Sequence, residues 1–188
     1  MAVKIFIDQG HNPVNPNAGA EGNGLREQDI TYEIGMNLAS LLRNNGGFEV
    51  RLSRNSPTEQ LGTSNSSSLA ERVRAANEWG ADYFISLHTN ASSNSSASGT
   101  EAYAFSSSSP GFELGEDIAE QIALITGLRN RGTFVRPSLY VLRRTAMPST
   151  LIEMGFITNQ SDARLMSEDP SVFAIGIYNG ILKYLGMN

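Results

Sequence analysis

The chain has 188 residues, of which 40% are hydrophobic and 18% are charged, and its formal net charge is −5. This composition is typical of a globular protein with a full hydrophobic core, and we expect one domain over residues 1–188 and a monomer. The negative net charge argues against a nucleic-acid partner, because such proteins normally present a basic face. No apolar run approaches the roughly 18 residues of a membrane span, so no span is expected.

The sequence contains no cysteine. This excludes disulfides, thiolate zinc sites and cysteine nucleophiles. A predicted strand begins already at Val3, so no signal peptide is expected at the N-terminus. A protein of this kind that acts outside the cell would be exported by another route or belong to a longer chain.

Strand-like and helix-like segments alternate along the chain. Short apolar or alternating runs predict strands, and apolar residues three or four positions apart predict helices. In chain order the predicted strands are Val3–Asp8, Phe48–Leu52, Tyr83–Leu87, Thr100–Phe105, Leu139–Leu142 and Thr150–Ile152. The predicted helices run from Glu27 to Gly46-Gly47, from a capping box at Ser68–Glu71, through Leu114, Ile118, Ile122 and Ile125 to Gly127, and from Asp169-Pro170 onward.

This alternation predicts an α/β fold, a layered fold with a mostly parallel central sheet flanked by helices, of the phosphorylase/hydrolase-like kind. Ligands of such sheets gather beyond the carboxyl ends of the strands. The two histidines of the chain, His11 and His88, follow predicted strands, and Glu153 follows another. The serine-rich stretches 92–98 and 106–109 are predicted to be loops.

His11, Glu27 and His88 form a candidate metal-binding set. Imidazole nitrogen and carboxylate oxygen suit zinc, and a catalytic zinc commonly takes three protein ligands and leaves one position for water. Glu27 would lie in the first turn of a helix, where the helix dipole also favours an acidic residue. The residues alone leave ordinary roles open, because a histidine at a strand end is often only a polar surface residue and Glu27 fits a helix start without any metal. No HExxH motif is present.

Four segments favour the metal hypothesis over these alternatives. In order and spacing, IFIDQGHNP, GLREQDIT, ISLHTNAS and VLRRTAMPSTLIEMGFITN resemble the zinc-dependent N-acetylmuramoyl-L-alanine amidases, the cell-wall hydrolases of the amidase 3 family. The resemblance runs from about Lys4 to the C-terminal helix. It implies one Zn²⁺ per chain, held by His11, Glu27 and His88, and it implies that Glu153 is the catalytic residue.

The resemblance also implies a reaction and a substrate. Such enzymes are expected to cleave the amide between the lactyl group of N-acetylmuramic acid and L-alanine of the stem peptide, with water activated by zinc. Glu153 would accept the proton of that water and pass it to the leaving amine. The implied partner is a muramyl peptide of peptidoglycan, and the implied location is the cell wall or the extracellular space.

The chain departs from the family pattern around the first histidine. The family usually has Asp-Pro-Gly-His-Gly-Gly, where this chain has Asp8-Gln9-Gly10-His11-Asn12-Pro13. With fewer glycines, the loop after His11 should be stiffer. Glu21, in a glycine-rich segment, is a competing carboxylate ligand. Glu27 is preferred because its neighbours match the family and because a helix end holds a ligand more rigidly.

Four further residues have open or structural roles. Asp8 either holds a loop or orients His11 as a hydrogen-bond acceptor. Arg131 lies in a segment that resembles a family block near the substrate, so it either binds an acidic stem-peptide group in bidentate fashion or is an ordinary loop arginine. Arg72 is predicted to be structural, and Trp79 is predicted to belong to the core.

Two other functions compete with the amidase. A zinc exopeptidase acting on free peptides could use the same sheet, although such enzymes usually need a second metal or a charged pocket for a peptide terminus. A non-catalytic peptidoglycan-binding module is the other alternative, and the presence of all four candidate site residues argues against it.

Overall fold

The structure is a computed structural model that describes residues 2–187, and its centre is a six-stranded sheet. The elements in chain order are β1 Val3–Gln9, β2 Glu21–Gly22, β3 Leu25–Arg26, α1 Glu27–Asn45, β4 Phe48–Leu52, α2 Asn65–Trp79, β5 Tyr83–Asn90, β6 Thr100–Ala104, α3 Pro110–Thr126, β7 Asn130–Val135, α4 Tyr140–Arg144, β8 Ser149–Phe156, α5 Gln160–Glu168 and α6 Pro170–Leu185. Within the described residues, no helix is both long and apolar enough to cross a membrane.

The strands follow the order β4-β1-β5-β8-β6-β7. β4, β1, β5 and β8 are parallel to one another, whereas β6 is antiparallel to β8 and parallel to β7. The segment 91–99 that joins β5 to β6 contains no helix that would return the chain to the other end of the sheet, so β6 starts where β5 stops. The prediction of an α/β layered fold with a mostly parallel sheet is confirmed.

Each face of the sheet buries its own apolar core. On β1, Ile5 and Ile7 pack on one face and Phe6 on the other, as the alternation of side chains along a strand requires. Helices α1, α3, α5 and α6 cover the face of Ile5 and Ile7, and α2 and α4 cover the face of Phe6.

The start of α2 differs from the prediction. The helix begins at Asn65 with Ser64 as its N-cap, and the capping box pairs Ser64 with Ser67. Ser68 therefore lies inside the first turn, and the predicted box at Ser68–Glu71 is wrong. The carboxylate of Glu71 instead accepts a hydrogen bond from the backbone N–H of Gly62 at 2.9 Å, so it is not available as a capping partner.

The predicted strand Leu139–Leu142 is also wrong, because this segment forms the start of helix α4. Val141 and Leu142 pack into the core under α2. A short apolar run has the same hydrophobic pattern in a buried helix and in a buried strand, so the pattern could not distinguish them. The sequence interpretation also missed β7, α5 and the two-stranded β2–β3 hairpin.

Candidate metal and catalytic site

The candidate residues lie at one edge of the sheet, where the parallel strands end. His11 follows β1, His88 is near the end of β5, and Glu153 is on β8. His88 and Glu153 are direct partners in the parallel pairing of β5 with β8, so their side chains leave the sheet on the same side. Glu27 is the first residue of α1, directly after the β2–β3 hairpin.

Both histidine rings contact the carboxylate of Glu27. His11 Nε2 is 3.2 Å from Glu27 Oε2, and His88 Nδ1 is 3.0 Å from Glu27 Oε1. The two rings meet edge to face with their centroids 4.8 Å apart. One potential ligand atom from each of the three residues lies within 4.8 Å of the other two.

Backbone groups fix the orientation of the Glu27 carboxylate. Its Oε2 accepts a hydrogen bond from the N–H of Ala20 at 2.8 Å, and its Oε1 accepts one from the N–H of Thr89 at 2.9 Å. Burial acts to raise the pKa of Glu27, but its hydrogen bonds and electrostatic interactions with His11 and His88 outweigh burial and hold the pKa well below its usual range. The carboxylate is therefore anionic and directed at both imidazoles.

This donor set suits a zinc ion. Two imidazole nitrogens and one carboxylate oxygen are the ligands of several catalytic zinc centres, and three protein ligands leave a position for water. Glu27 is buried, whereas the side chains of His11 and His88 are 21% and 19% exposed, so solvent reaches the histidine side of the set. His11, Glu27 and His88 could therefore hold a metal ion.

Glu21 does not share this position. It lies in β2 with an exposed side chain, and its Cα partner across the hairpin is Arg26. Between the two carboxylates that the sequence offered, Glu27 is the one that touches both histidines.

Two glycines, Gly10 and Gly19, leave room for the trio of His11, Glu27 and His88. A Cβ atom on Gly10 would lie 2.5 Å from His88 Cε1 and 2.5 Å from the carbonyl oxygen of Leu87. A Cβ atom on Gly19 would lie 2.8 Å from Glu27 Oε2. All three distances are shorter than real contacts of a Cβ atom, so a side chain at either position would displace a member of the trio.

Glu153 borders the trio and has an unusual environment. Its Oε2 is buried and has no hydrogen-bond partner among the described residues. Burial raises the pKa of Glu153 to about 8, and the negative charges of Glu27 and Glu101 act in the same direction. A carboxyl group with a pKa near neutrality can both accept and release a proton under physiological conditions.

Asp8 supports the site through Arg72 and does not touch the ring of His11. Its Oδ1 pairs with Arg72 Nη1 at 2.7 Å and its Oδ2 accepts the hydroxyl proton of Ser86 at 2.8 Å. Arg72 also donates to the backbone oxygens of Gln9 and His11, both at 2.6 Å. Of the two roles considered for Asp8, the geometry supports the one that holds a loop, and Arg72 has the structural role predicted for it.

Arg131 lies on β7, not in a loop. Its Nε donates to Glu101 Oε2 at 2.7 Å, and its guanidinium lies 5.0 Å from the ring centre of Phe156. Sequence reasoning missed Glu101, which is on β6 directly opposite Glu153. The available signal was a lone acid inside the otherwise mostly apolar strand TEAYA.

Trp79, at the end of α2, packs against the core under that helix, as predicted. Lys4 and Arg51 lie over its ring at 5.6 and 5.0 Å from the centroid. These contacts support a structural role for Trp79.

The chain matches known proteins over nearly its whole length. A family model described as N-acetylmuramoyl-L-alanine amidase matches residues 5–183. The N-acetylmuramoyl-L-alanine amidase CwlM of Bacillus licheniformis is 35% identical over 99% of this chain and 70% of its own length. The sporulation-specific N-acetylmuramoyl-L-alanine amidase of Bacillus subtilis is 36% identical over 95% of this chain and 67% of its own length.

Solved structures give the same result. An N-acetylmuramoyl-L-alanine amidase from Clostridium difficile superposes with a TM-score of 0.88 and 30% identity, covering 98% of this chain and 97% of that one. The catalytic domain of the amidase CwlV from Bacillus (Paenibacillus) polymyxa gives a TM-score of 0.85 with 29% identity and 99% coverage of both chains. This chain therefore belongs to the N-acetylmuramoyl-L-alanine amidase family of peptidoglycan hydrolases.

Proposed function

We propose that the protein is a zinc-dependent amidase that hydrolyses the bond between the lactyl group of N-acetylmuramic acid and L-alanine of the stem peptide. His11, Glu27 and His88 would hold one Zn²⁺ per chain, and Glu153 would move the proton. The observation that carries this proposal is the convergence of both imidazoles on one buried carboxylate beside a glutamate whose pKa is raised to about 8.

The metal would supply the electrophilic part of the chemistry, because a bound zinc makes water acidic near neutral pH and polarises a carbonyl group. The chain supplies the proton transfers. Amide hydrolysis requires that a proton leave the attacking water and that a proton reach the departing nitrogen. Glu153 Oε2 has no hydrogen-bond partner among residues 2–187. In this proposal, the Glu153 carboxyl group accepts the first proton and donates it in the second step.

The surroundings of Glu153 suit this exchange. A carboxylate of ordinary pKa would hold the proton too weakly to deliver it to an amine, whereas a group with a pKa near the working pH both accepts and donates efficiently. The charge of Glu27, which touches both histidines, contributes to raising the pKa of Glu153. This contribution belongs to the metal-free chain, because a Zn²⁺ ion held by Glu27 would bring a positive charge that lowers the pKa of Glu153.

The substrate proposed is a muramyl peptide of peptidoglycan, and the proposed location is the cell wall or the extracellular space. The names of the relatives support this class of substrate. We further propose that residues 1–188 form a single catalytic domain and that it acts as a monomer.

Two substrates separate this function from its rivals. The zinc-loaded protein is incubated with N-acetylmuramoyl-L-alanyl-D-glutamyl-lysine and, in parallel, with the free tripeptide that lacks the sugar, and the products are resolved by chromatography. We expect hydrolysis of the first substrate to N-acetylmuramic acid and the tripeptide, with the free tripeptide left intact. Release of alanine from the free tripeptide would indicate an exopeptidase. Binding of the muramyl peptide without turnover would indicate a binding module.

A further inference from the structure

His11 has a backbone conformation that its own side chain does not favour. Its φ angle is +68°, in the left-handed region, where residues with a Cβ are uncommon. Such a conformation persists only where the surroundings enforce it. The contacts on either side of His11 therefore determine where its imidazole points.

Asn12, the next residue, makes four hydrogen bonds with its side chain. Its Nδ2 donates to the carbonyl oxygens of Pro16 at 2.9 Å and Leu61 at 2.8 Å. Its Oδ1 accepts from the N–H of Leu61 and from Arg72 Nη2, both at 3.2 Å. An asparagine amide has two donor hydrogens and two acceptor lone pairs, so every position is used. The side chain is fully buried.

These bonds join three parts of the molecule at the base of the loop that carries His11. Leu61 belongs to the segment between β4 and α2, which is distant in sequence and contacts Asn12 through both its N–H and its C=O. Arg72 reaches the same position from α2 and also donates to the carbonyl oxygen of His11 at 2.6 Å. The peptide group that links His11 to Asn12 is thus held from both sides.

We propose that Asn12 is a positioning residue that latches the His11 loop to Leu61 and so presets the His11 imidazole for the metal. The inference rests on the proposed function, in which His11 is a zinc ligand. A loop that is ordered before the ion arrives loses little conformational freedom on binding, whereas a loose loop must be ordered at the expense of affinity. Asn12 itself would not be a ligand, because its side-chain donors and acceptors are all used in these four bonds.

Zinc affinity tests the latch without reference to catalysis. The dissociation constant for Zn²⁺ is measured by competition with a chromophoric chelator, and the absorption spectrum of the Co²⁺-substituted protein is recorded. Asn12→Ala should weaken zinc binding by about tenfold, as expected for residues that orient a ligand from outside the coordination shell. The Co²⁺ spectrum should also change, because the geometry of the His11 ring would no longer be fixed.

Asn77→Ala is the matched control. Asn77 bridges two backbone groups in the same way, donating to the carbonyl oxygen of Arg144 at 3.1 Å and accepting from the N–H of Ala146 at 2.9 Å. It makes these bonds away from the trio, so its removal should leave zinc affinity and the Co²⁺ spectrum unchanged. Equal zinc affinities and spectra for wild type and Asn12→Ala would overturn the latch. A wild type that binds no zinc would overturn the proposed function together with the latch.

Two further measurements apply if Asn12→Ala does not fold. Asn12→Asp keeps the volume and the acceptor that faces Arg72 but loses both donor bonds, so it should also weaken zinc binding. In the wild type, zinc should slow hydrogen exchange of the Leu61 amide, because coupling between two sites is reciprocal. The Ala146 amide, which donates to Asn77, should respond much less. A Leu61 amide that is insensitive to zinc would contradict the proposal.

Discussion

Glu101 and Glu153 face each other directly across the antiparallel pair of strands β6 and β8. Their environments differ. Glu101 accepts hydrogen bonds from Asn90 at 2.7 Å, from the hydroxyl of Tyr103 at 2.6 Å and from Arg131 at 2.7 Å. The buried oxygen of Glu153 has no such partner in the described part of the chain. These three hydrogen bonds stabilise a negative charge on Glu101. That charge disfavours a second negative charge on Glu153.

This relationship predicts a pH effect. Glu153 must be deprotonated to accept a proton, so kcat/KM should rise with pH as its carboxyl group ionises. Burial, Glu27 and Glu101 all raise its pKa. Glu101→Gln removes one of these charges, so the pKa of Glu153 falls and the acidic limb of the profile moves to lower pH. The measurement is kcat/KM against pH for the wild type and the variant.

Glu113→Gln is the control for that experiment. It removes the same charge at an exposed position in the first turn of α3, away from Glu153. Its profile should coincide with that of the wild type. If the acidic limb of the Glu101→Gln profile lies at the same pH as that of the wild type, Glu101 does not raise the pKa of Glu153.

Glu153→Gln should abolish turnover and preserve zinc binding. The amide is nearly isosteric with the carboxylic acid, so packing around this position of β8 should survive. The variant lacks a group that can accept a proton, and general acid–base catalysis contributes about 10²–10⁴-fold. The test is kcat together with zinc content. Near-normal turnover would assign the proton transfer elsewhere, and lost zinc would make Glu153 a ligand.

The same variant should change the pH dependence of stability in the metal-free protein. The pKa of Glu153 is about 8 in the folded state, against 4.5 for a free glutamate. Between these values the unfolded chain has released this proton and the folded chain retains it, so the wild type loses stability as pH rises from about 4.5 to 8. Glu153→Gln should lose less over this range in chemical denaturation. Parallel curves for the two proteins would contradict the raised pKa.

The metal trio gives a prediction that also separates the two candidate glutamates. His11→Ala, Glu27→Ala and His88→Ala should each lose tight zinc binding, because two remaining protein ligands hold the ion weakly. Glu21→Ala should keep one zinc per chain, since its exposed side chain lies in the hairpin. Metal content after dialysis is the measurement. A loss of zinc in Glu21→Ala with retention in Glu27→Ala would reverse the assignment.

Arg72 should matter for stability far more than another arginine on the same helix. The pair of Arg72 with Asp8 is almost completely buried, with side-chain exposures of 1% and 2%. Arg72→Met would leave Asp8 charged and unpaired, which is expected to reduce the free energy of unfolding by about 3–5 kcal/mol. Arg74 pairs with Glu78 at the surface, where both side chains are 63% exposed. Arg74→Met should therefore change the free energy of unfolding by less than about 1 kcal/mol. Similar values for both variants in urea denaturation would refute the structural role of Arg72.

Five of the six strands of the sheet were predictable from the sequence because each carries its own signal, whereas β7 was missed. Ile5, Ile7 and Phe6 alternate between two buried faces, and such runs end at glycine or at polar residues. The order of the strands determines which strand ends are neighbours, and it brings His11, His88 and Glu153 to one edge of the sheet. The sequence placed these residues at strand ends, and the structure brings them together with Glu27; their roles as ligands and base stay predictions.

Other features depend on contacts between distant segments and could not be predicted locally. Glu101 is significant only because β6 runs antiparallel to β8 and places it opposite Glu153. Asn12 looked like a stiffening replacement for glycine, and its four bonds depend on Leu61 and Arg72, which are distant in the chain. Periodicity along the sequence contains no information about such pairs.

The most direct test of the central claim is mass spectrometry of purified peptidoglycan digested by the zinc-loaded protein. The proposed function predicts glycan strands that carry free lactyl carboxylates and released peptides that begin with L-alanine. A chelator should abolish both products, and added Zn²⁺ should restore them. Peptides that begin at another residue, or full activity after the metal has been removed, would contradict the claim that this chain is a zinc-dependent N-acetylmuramoyl-L-alanine amidase.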